Sequence, residues 1–143
     1  MTWSDADKAI YRHMGHVTVP GLFSSERTAA VVEDIQRWGE QFLADLPPSQ
    51  RAWYVDDGVA ARTVLRKLDN PHHHREVVRE LARDPALVAI VESLIGPGVW
   101  VYFSQIFFKP PEGGGPKPAH QDNFYFGPND LEGVVTAWIA IDD

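Results

Sequence analysis

His120 and Asp122 stand two residues apart in Ala119-His120-Gln121-Asp122-Asn123-Phe124-Tyr125-Phe126. Side chains on a β-strand alternate between faces, so on a strand this pair points the same way and reaches one ion together. An imidazole and a carboxylate in that relation are two of the three ligands of the 2-His-1-carboxylate facial triad, which binds Fe(II) and leaves positions open for substrate and oxygen. Taken alone the pattern also fits a surface histidine with an aspartate two along. Its setting adds weight. It follows a Gly/Pro-rich loop over residues 109–118, it runs into the aromatic triplet Phe124, Tyr125 and Phe126, and a strand-like run over residues 134–141 carries Trp138. Half-buried, aromatic-walled positions rarely leave an imidazole or carboxylate without a partner. The triad requires a second histidine, and none follows Asp122 in these 143 residues.

Composition bounds what surrounds this pair. At 143 residues, 44% hydrophobic and 11% aromatic, the chain fits one globular domain with a real core. Its net charge of −7 comes from 20 acidic and 13 basic residues, and no basic run exceeds Arg66-Lys67, which argues against a phosphate-tracking nucleic-acid surface. There is no cysteine, so disulfides, thiolate metal sites and cysteine nucleophiles are excluded. Neither a secretory h-region nor an apolar run of roughly 18 residues occurs, and a soluble, cytoplasmic protein without membrane contact is expected.

The elements that must position the motif follow in chain order. His16-Val17-Thr18-Val19 reads as a short strand ended by Pro20-Gly21. Ser24 or Ser25 then caps a helix with Val31, Val32, Ile35, Trp38, Phe42, Leu43 and Leu46 at helical spacing, stopped by Pro47-Pro48. Trp38 is expected in the core. A short strand and turn is expected over residues 51–61, and an alternating strand over residues 63–68. Asn70 as N-cap with Pro71 at the first helical position starts a helix through Val77, Val78 and Leu81. Asp84-Pro85 restarts a second, closed by Gly96-Pro97-Gly98. His72, His73 and His74 are spread about 100° apart in a first helical turn and cannot all face one ion, so a solvated helix start is expected.

Residues 99–109 form the clearest strand, with Trp100, Tyr102, Ile106 and Phe108 on one face and Val101, Phe103, Gln105, Phe107 and Lys109 on the other. Gln105 and Lys109 are polar on an otherwise apolar face. They point either to an anionic ligand or to a backbone partner and a wet strand end. In residues 134–141, Val135, Ala137, Ile139 and Ile141 read as core, while Trp138 shares its face with Thr136 and could wall a pocket. Helices first and short strands after give an α+β class, with an antiparallel sheet tending toward a barrel or jelly roll.

At this point the chain resembles the phytanoyl-CoA dioxygenase family of Fe(II)- and 2-oxoglutarate-dependent oxygenases. The resemblance is carried by Val19-Pro20-Gly21-Leu22-Phe23, Arg66-Lys67-Leu68, Ser104-Gln105 leading to Phe108-Lys109-Pro110-Pro111, His120-Gln121-Asp122 with Tyr125-Phe126, and Thr136-Ala137-Trp138. It implies a double-stranded β-helix, cupin-like, with flanking N-terminal helices and incomplete at its C-terminal end. It implies iron ligated by His120 and Asp122, a 2-oxoglutarate pocket involving Lys67, Gln105 and Trp138, O2 as oxidant, and hydroxylation of a C–H bond of a small organic substrate. Asp122, a carboxylate where a small residue would leave room for halide, favours hydroxylation over halogenation. The family's distal histidine and carboxylate-clamping arginine belong to its C-terminal half, so residues 1–143 are expected to be a single truncated domain with full activity in a longer chain. Open sheet edges are expected to make the piece self-associate. Two other readings stand beside this one: a non-catalytic small-molecule-binding domain, and a cupin-like metal protein completed by another subunit.

Overall fold

The computed structural model describes residues 3–59, 62–109 and 118–142; for residues 57–59, 62 and 63 it describes backbone alone. Helix α1 (Asp5–Met14) opens with a capping box in which Ser4 and Asp7 bond each other's backbone N–H, and ends on Gly15 at φ 78°. The Trp3 indole N–H donates to Ser93 Oγ at 2.8 Å, which ties this N-terminal segment to a later helix.

Helix α2 (Ser25–Asp45) is the expected long packing helix, capped by Ser24 through the Arg27 N–H and stopped before Pro47. Val31, Ile35 and Gly39 recur every four residues and make its buried stripe. Val31 and Ile35 form the core with Leu81, and Phe23, Val77, Val78, Ile106, Phe108 and Ile141 pack around them. Gly39 has a packing reason: a Cβ there would stand 3.1 Å from a methyl of Leu65. Trp38 is half-buried against Phe42 and His74.

The expected strand over residues 63–68 divides. After the helical turn α3 (Arg51–Tyr54), strand β1 (Val55–Val59) pairs antiparallel with β2 (Arg62–Leu65). Strand β3 (Lys67–Asp69) instead pairs with β4 (Gln105–Phe107), in the register Lys67 to Phe107, Leu68 to Ile106 and Asp69 to Gln105. Arg66 is the switch between them. Its N–H donates to Tyr54 O at 2.8 Å, and its carbonyl accepts from Phe108 N at 3.0 Å. Leu65 meets Gly39 of α2, and Leu68 shares the face of core-packed Ile106. Residues three apart face one side only if alternation is broken, and the break falls at Arg66.

Asn70 does not cap by its side chain; it makes the turn at φ 51°, a conformation asparagine tolerates well. Helices α4 (Pro71–His74), α5 (Glu76–Ala82) and α6 (Pro85–Ile95) follow, the last capped by Asp84 through the N–H groups of Ala86 and Leu87. His73 and His74 are exposed as expected, but His72 is 9% exposed and its Nδ1 lies 2.6 Å from Ser104 Oγ, which corrects the solvated reading for that residue. Burial, reinforced by the neighbouring charges of His73, Arg79 and His74, pushes the His72 imidazole below its ordinary range.

Among the described residues the sheets are two separate antiparallel pairs and no closed barrel is assembled. Residues 16–19 and 134–142 form no strand, and the long strand expected over 99–109 is reduced to β4. Strands exist only where a ladder partner supplies hydrogen bonds, and these apolar runs have none among the described residues. The Gly/Pro loop at 110–117 lies outside them. No helix is long and apolar enough to cross a membrane, again among the described residues.

Arg75 fixes the start of α5 to α2 by a fork onto Asp34, its Nε donating to Oδ2 at 2.7 Å. The Arg75 hydrogen bond, against opposing burial, holds the Asp34 carboxyl below the usual carboxylate range, and Arg27 does the same for Asp84. A carboxylate depressed by folding contributes stability that is present above its unfolded value, about 3.9, and is lost as pH falls through its folded value. Arg75→Gln is therefore expected to lose about 1–3 kcal/mol at pH 7. Urea unfolding at descending pH should show the gap to wild type closing once Asp34 is protonated; an unchanged gap would place the effect elsewhere.

Candidate functional site

Two groups of side chains converge through the stretch that carries Thr136 and Trp138. The first centres on His120 and Asp122. These residues lie not on a strand but at the entrance of a short helix, α7 (Asp122–Phe126), closed by Gly127 at φ 53°. With no neighbouring strand to accept them, the backbone N–H groups turn inward, Phe124 N to Gln121 O at 3.1 Å and Gly127 N to Asn123 O at 3.0 Å. Phe126 anchors this turn on the rings of Tyr102 and Phe103, at 5.7 and 5.9 Å.

The strand argument for their common direction therefore fails, yet the two side chains meet. His120 Nε2 is 3.4 Å from Asp122 Oδ1. His120 Nδ1 lies 2.9 Å from Pro118 O, and a carbonyl only accepts, so the proton of the neutral ring sits on Nδ1. The Nε2 lone pair then faces a carboxylate oxygen, and two electron-pair donors at that separation require a proton or a cation between them. The other carboxylate oxygen, Oδ2, accepts from Thr136 Oγ1 at 2.8 Å. A ligand histidine that donates its second nitrogen and a ligand carboxylate held by a hydroxyl are the usual supports of a metal pair. These two side chains could therefore supply a metal ion with two ligands. Among the described residues, no group of three or more His, Asp and Glu side chains could hold a metal.

Thr136→Val removes the hydroxyl at nearly constant shape. It is expected to weaken metal binding about 10- to 100-fold while leaving the fold intact, as calorimetric titration with Mn(II) would show. Unchanged affinity would reduce the Thr136 contact to packing.

The second group lies on the outer face of the β3–β4 ladder, the face opposite Leu68 and Ile106. Alternation and register place Lys67, Asp69, Gln105 and Phe107 together there. Gln105 Nε2 donates to Asp69 Oδ1 at 2.6 Å, while Lys67 Nζ at 3.3 Å and Trp53 Nε1 at 3.2 Å both donate to Oδ2. The Lys67 ammonium also sits 3.8 Å over the Trp53 ring. Burial alone would raise the Asp69 carboxyl, but hydrogen bonds from Gln105 and Trp53 and the charge of Lys67 outweigh it and hold it below the usual range. Burial, together with the Asp69 charge, pushes the nearby Tyr54 hydroxyl up. Trp138, though 75% exposed, stacks on Phe107 with ring planes 6° apart and centroids at 5.9 Å.

All five residues singled out in the sequence therefore fall into these two groups: His120 with Asp122, and Lys67 and Gln105 with Trp138 alongside. Because Thr136 touches Asp122 and Trp138 touches Phe107, one stretch joins the groups. Asp69, which ties Lys67 to Gln105, carries no motif of its own.

The sequence profile described as Phytanoyl-CoA dioxygenase (PhyH) matches residues 11–143. The chain belongs to the phytanoyl-CoA dioxygenase family. Among curated proteins, this family member is similar to a probable alpha-ketoglutarate-dependent hypophosphite dioxygenase of Stutzerimonas stutzeri, 25% identical over 133 residues. The match covers 93% of the chain and 46% of that relative, so the chain spans about half the relative's length. No solved structure matches significantly.

Proposed function

We propose that the chain carries the first part of an Fe(II)- and 2-oxoglutarate-dependent dioxygenase centre that hydroxylates a C–H bond of a small organic substrate. The observation that carries this reading is the meeting of His120 Nε2 and Asp122 Oδ1 at 3.4 Å, each supported on its far side. His120 and Asp122 would hold the metal, with Thr136 and the Pro118 carbonyl fixing their directions. Lys67 and Gln105 would meet a carboxylate of 2-oxoglutarate; together with Trp53 they already hold the carboxylate of Asp69, so the donor set suits that chemistry. Trp138 on Phe107 would wall the pocket. Fe(II) held there would activate O2, with iron and 2-oxoglutarate together supplying the electrons. Family membership and the S. stutzeri relative support the reaction class, and that relative's name adds hypophosphite to the substrates worth assaying.

A second reading rests on a specific observation. Among the described residues His120 and Asp122 meet and no group of three metal donors does, which would also fit completion by another copy at an open sheet edge. A cupin-like protein finished by its neighbour, or a binding domain without turnover, belongs to the same observation.

The test is Fe(II)-dependent conversion of 2-oxoglutarate to succinate, measured against chain concentration with small organic acids and hypophosphite present. Turnover rising with the square of concentration would favour completion by a second copy. Binding of 2-oxoglutarate without turnover would leave completion in a longer chain and a binding domain, which turnover by a longer chain tells apart. Absence of both binding and turnover would overturn the dioxygenase reading.

A further inference from the structure

The Asp69 carboxylate is the common partner of the two side chains assigned above to the co-substrate, and it lies on the same ladder face. Each consequence follows from donor and acceptor chemistry. A carboxylate only accepts, so it fixes the Gln105 amide with Nε2 toward Asp69 and the carbonyl oxygen turned away. Without it, that amide has two nearly equivalent orientations. The residue Lys67 is 7% exposed, and an ammonium so deeply placed is costly unless a counterion stands beside it. Among the described residues Asp69 stands there as a counterion, and the Trp53 indole, held by the same carboxylate, supplies a ring face beneath the ammonium. The backbone adds rigidity, since Asp69 is the register partner of Gln105 and Asn70 N donates to Ser104 O at 2.8 Å directly beyond it.

We propose that Asp69 is the positioning residue of the 2-oxoglutarate subsite, fixing the place of the Lys67 ammonium and holding Gln105 in one amide orientation before the co-substrate arrives. This rests on the reading that Lys67 and Gln105 line that subsite. Asp69 acts through these two residues and touches no reacting atom.

Two measurements on the 143-residue chain test it. The first needs no ligand: the side-chain amide signal of Gln105, followed by nitrogen-15 NMR, is expected to shift strongly in Asp69→Asn and to return toward its original place in Asp69→Glu. An amide signal unmoved in Asp69→Asn overturns the positioning role whatever the chain binds. The second is calorimetric titration with 2-oxoglutarate in the presence of Mn(II). Asp69→Asn is expected to weaken binding about tenfold in the wild-type background and to have little further effect in a Lys67→Met/Gln105→Ala background, as coupled residues do. Equal losses in both backgrounds mean a general structural effect and overturn the proposal. If the Lys67→Met/Gln105→Ala chain binds as tightly as wild type, or wild type does not bind at all, the subsite reading itself falls and takes the proposal with it.

Discussion

Leu68→Ala is expected to cost about 2–5 kcal/mol of folding stability, the range for truncating a fully buried leucine. The residue is 0% exposed and pairs with Ile106 across β3–β4 on the face turned to Val31, Ile35 and Leu81. Total stabilities of domains this size run to about 5–15 kcal/mol, so the loss is a large share of the whole. The consequence reaches the site, because the opposite face of the same three-residue strand carries Lys67 and Asp69. Urea unfolding of Leu68→Ala beside the shape-conserving Leu68→Met, expected to lose less than about 1.5 kcal/mol, is the measurement. Similar values for the two would mean that the β3–β4 ladder is not held by this side chain.

Asp122→Asn is expected to reduce metal affinity by about 100-fold or more, beyond the effect of losing a supporting contact such as Thr136. The substitution keeps size and leaves an oxygen that still accepts from Thr136 Oγ1, so the entrance to α7 should retain its shape. What disappears is the negative charge facing His120 Nε2. Titration with Fe(II) under nitrogen reads the affinity, and circular dichroism checks the fold. Retained affinity would show that the cation, if any, is held elsewhere.

Much of the helical half was legible because its signals are local. Ser24 and Asp84 cap the helices expected of them, Gly96 and the Pro47-Pro48 pair end them, and Val31 and Ile35 of the expected stripe are buried, with Gly39, which the apolar pattern passes over, beside them. The strands were less legible because pairing is not local. The apolar alternation through residues 63–68 says nothing of the change of partner at Arg66, which arises from Leu65 and Leu68 both needing the core side. Residues 134–141 have strand-like composition and no ladder partner among the described residues, so composition alone misleads there. His120 and Asp122 were paired by an argument whose geometry was wrong: they meet at a helix entrance rather than along a strand, where Asp122 also accepts from the Thr136 hydroxyl. Asp69 and the buried side of His72 were missed, since nothing in their neighbours along the chain marks the partners they acquire from β4 and Ser104.

The most direct test of the metal and co-substrate assignment is anaerobic titration of the 143-residue chain with Fe(II) and 2-oxoglutarate, followed by visible absorption, with His120→Ala as control. A charge-transfer band that grows with 2-oxoglutarate and is absent in His120→Ala is the result predicted here. A band of equal strength in His120→Ala, or 2-oxoglutarate binding that ignores both His120 and Lys67, would contradict it.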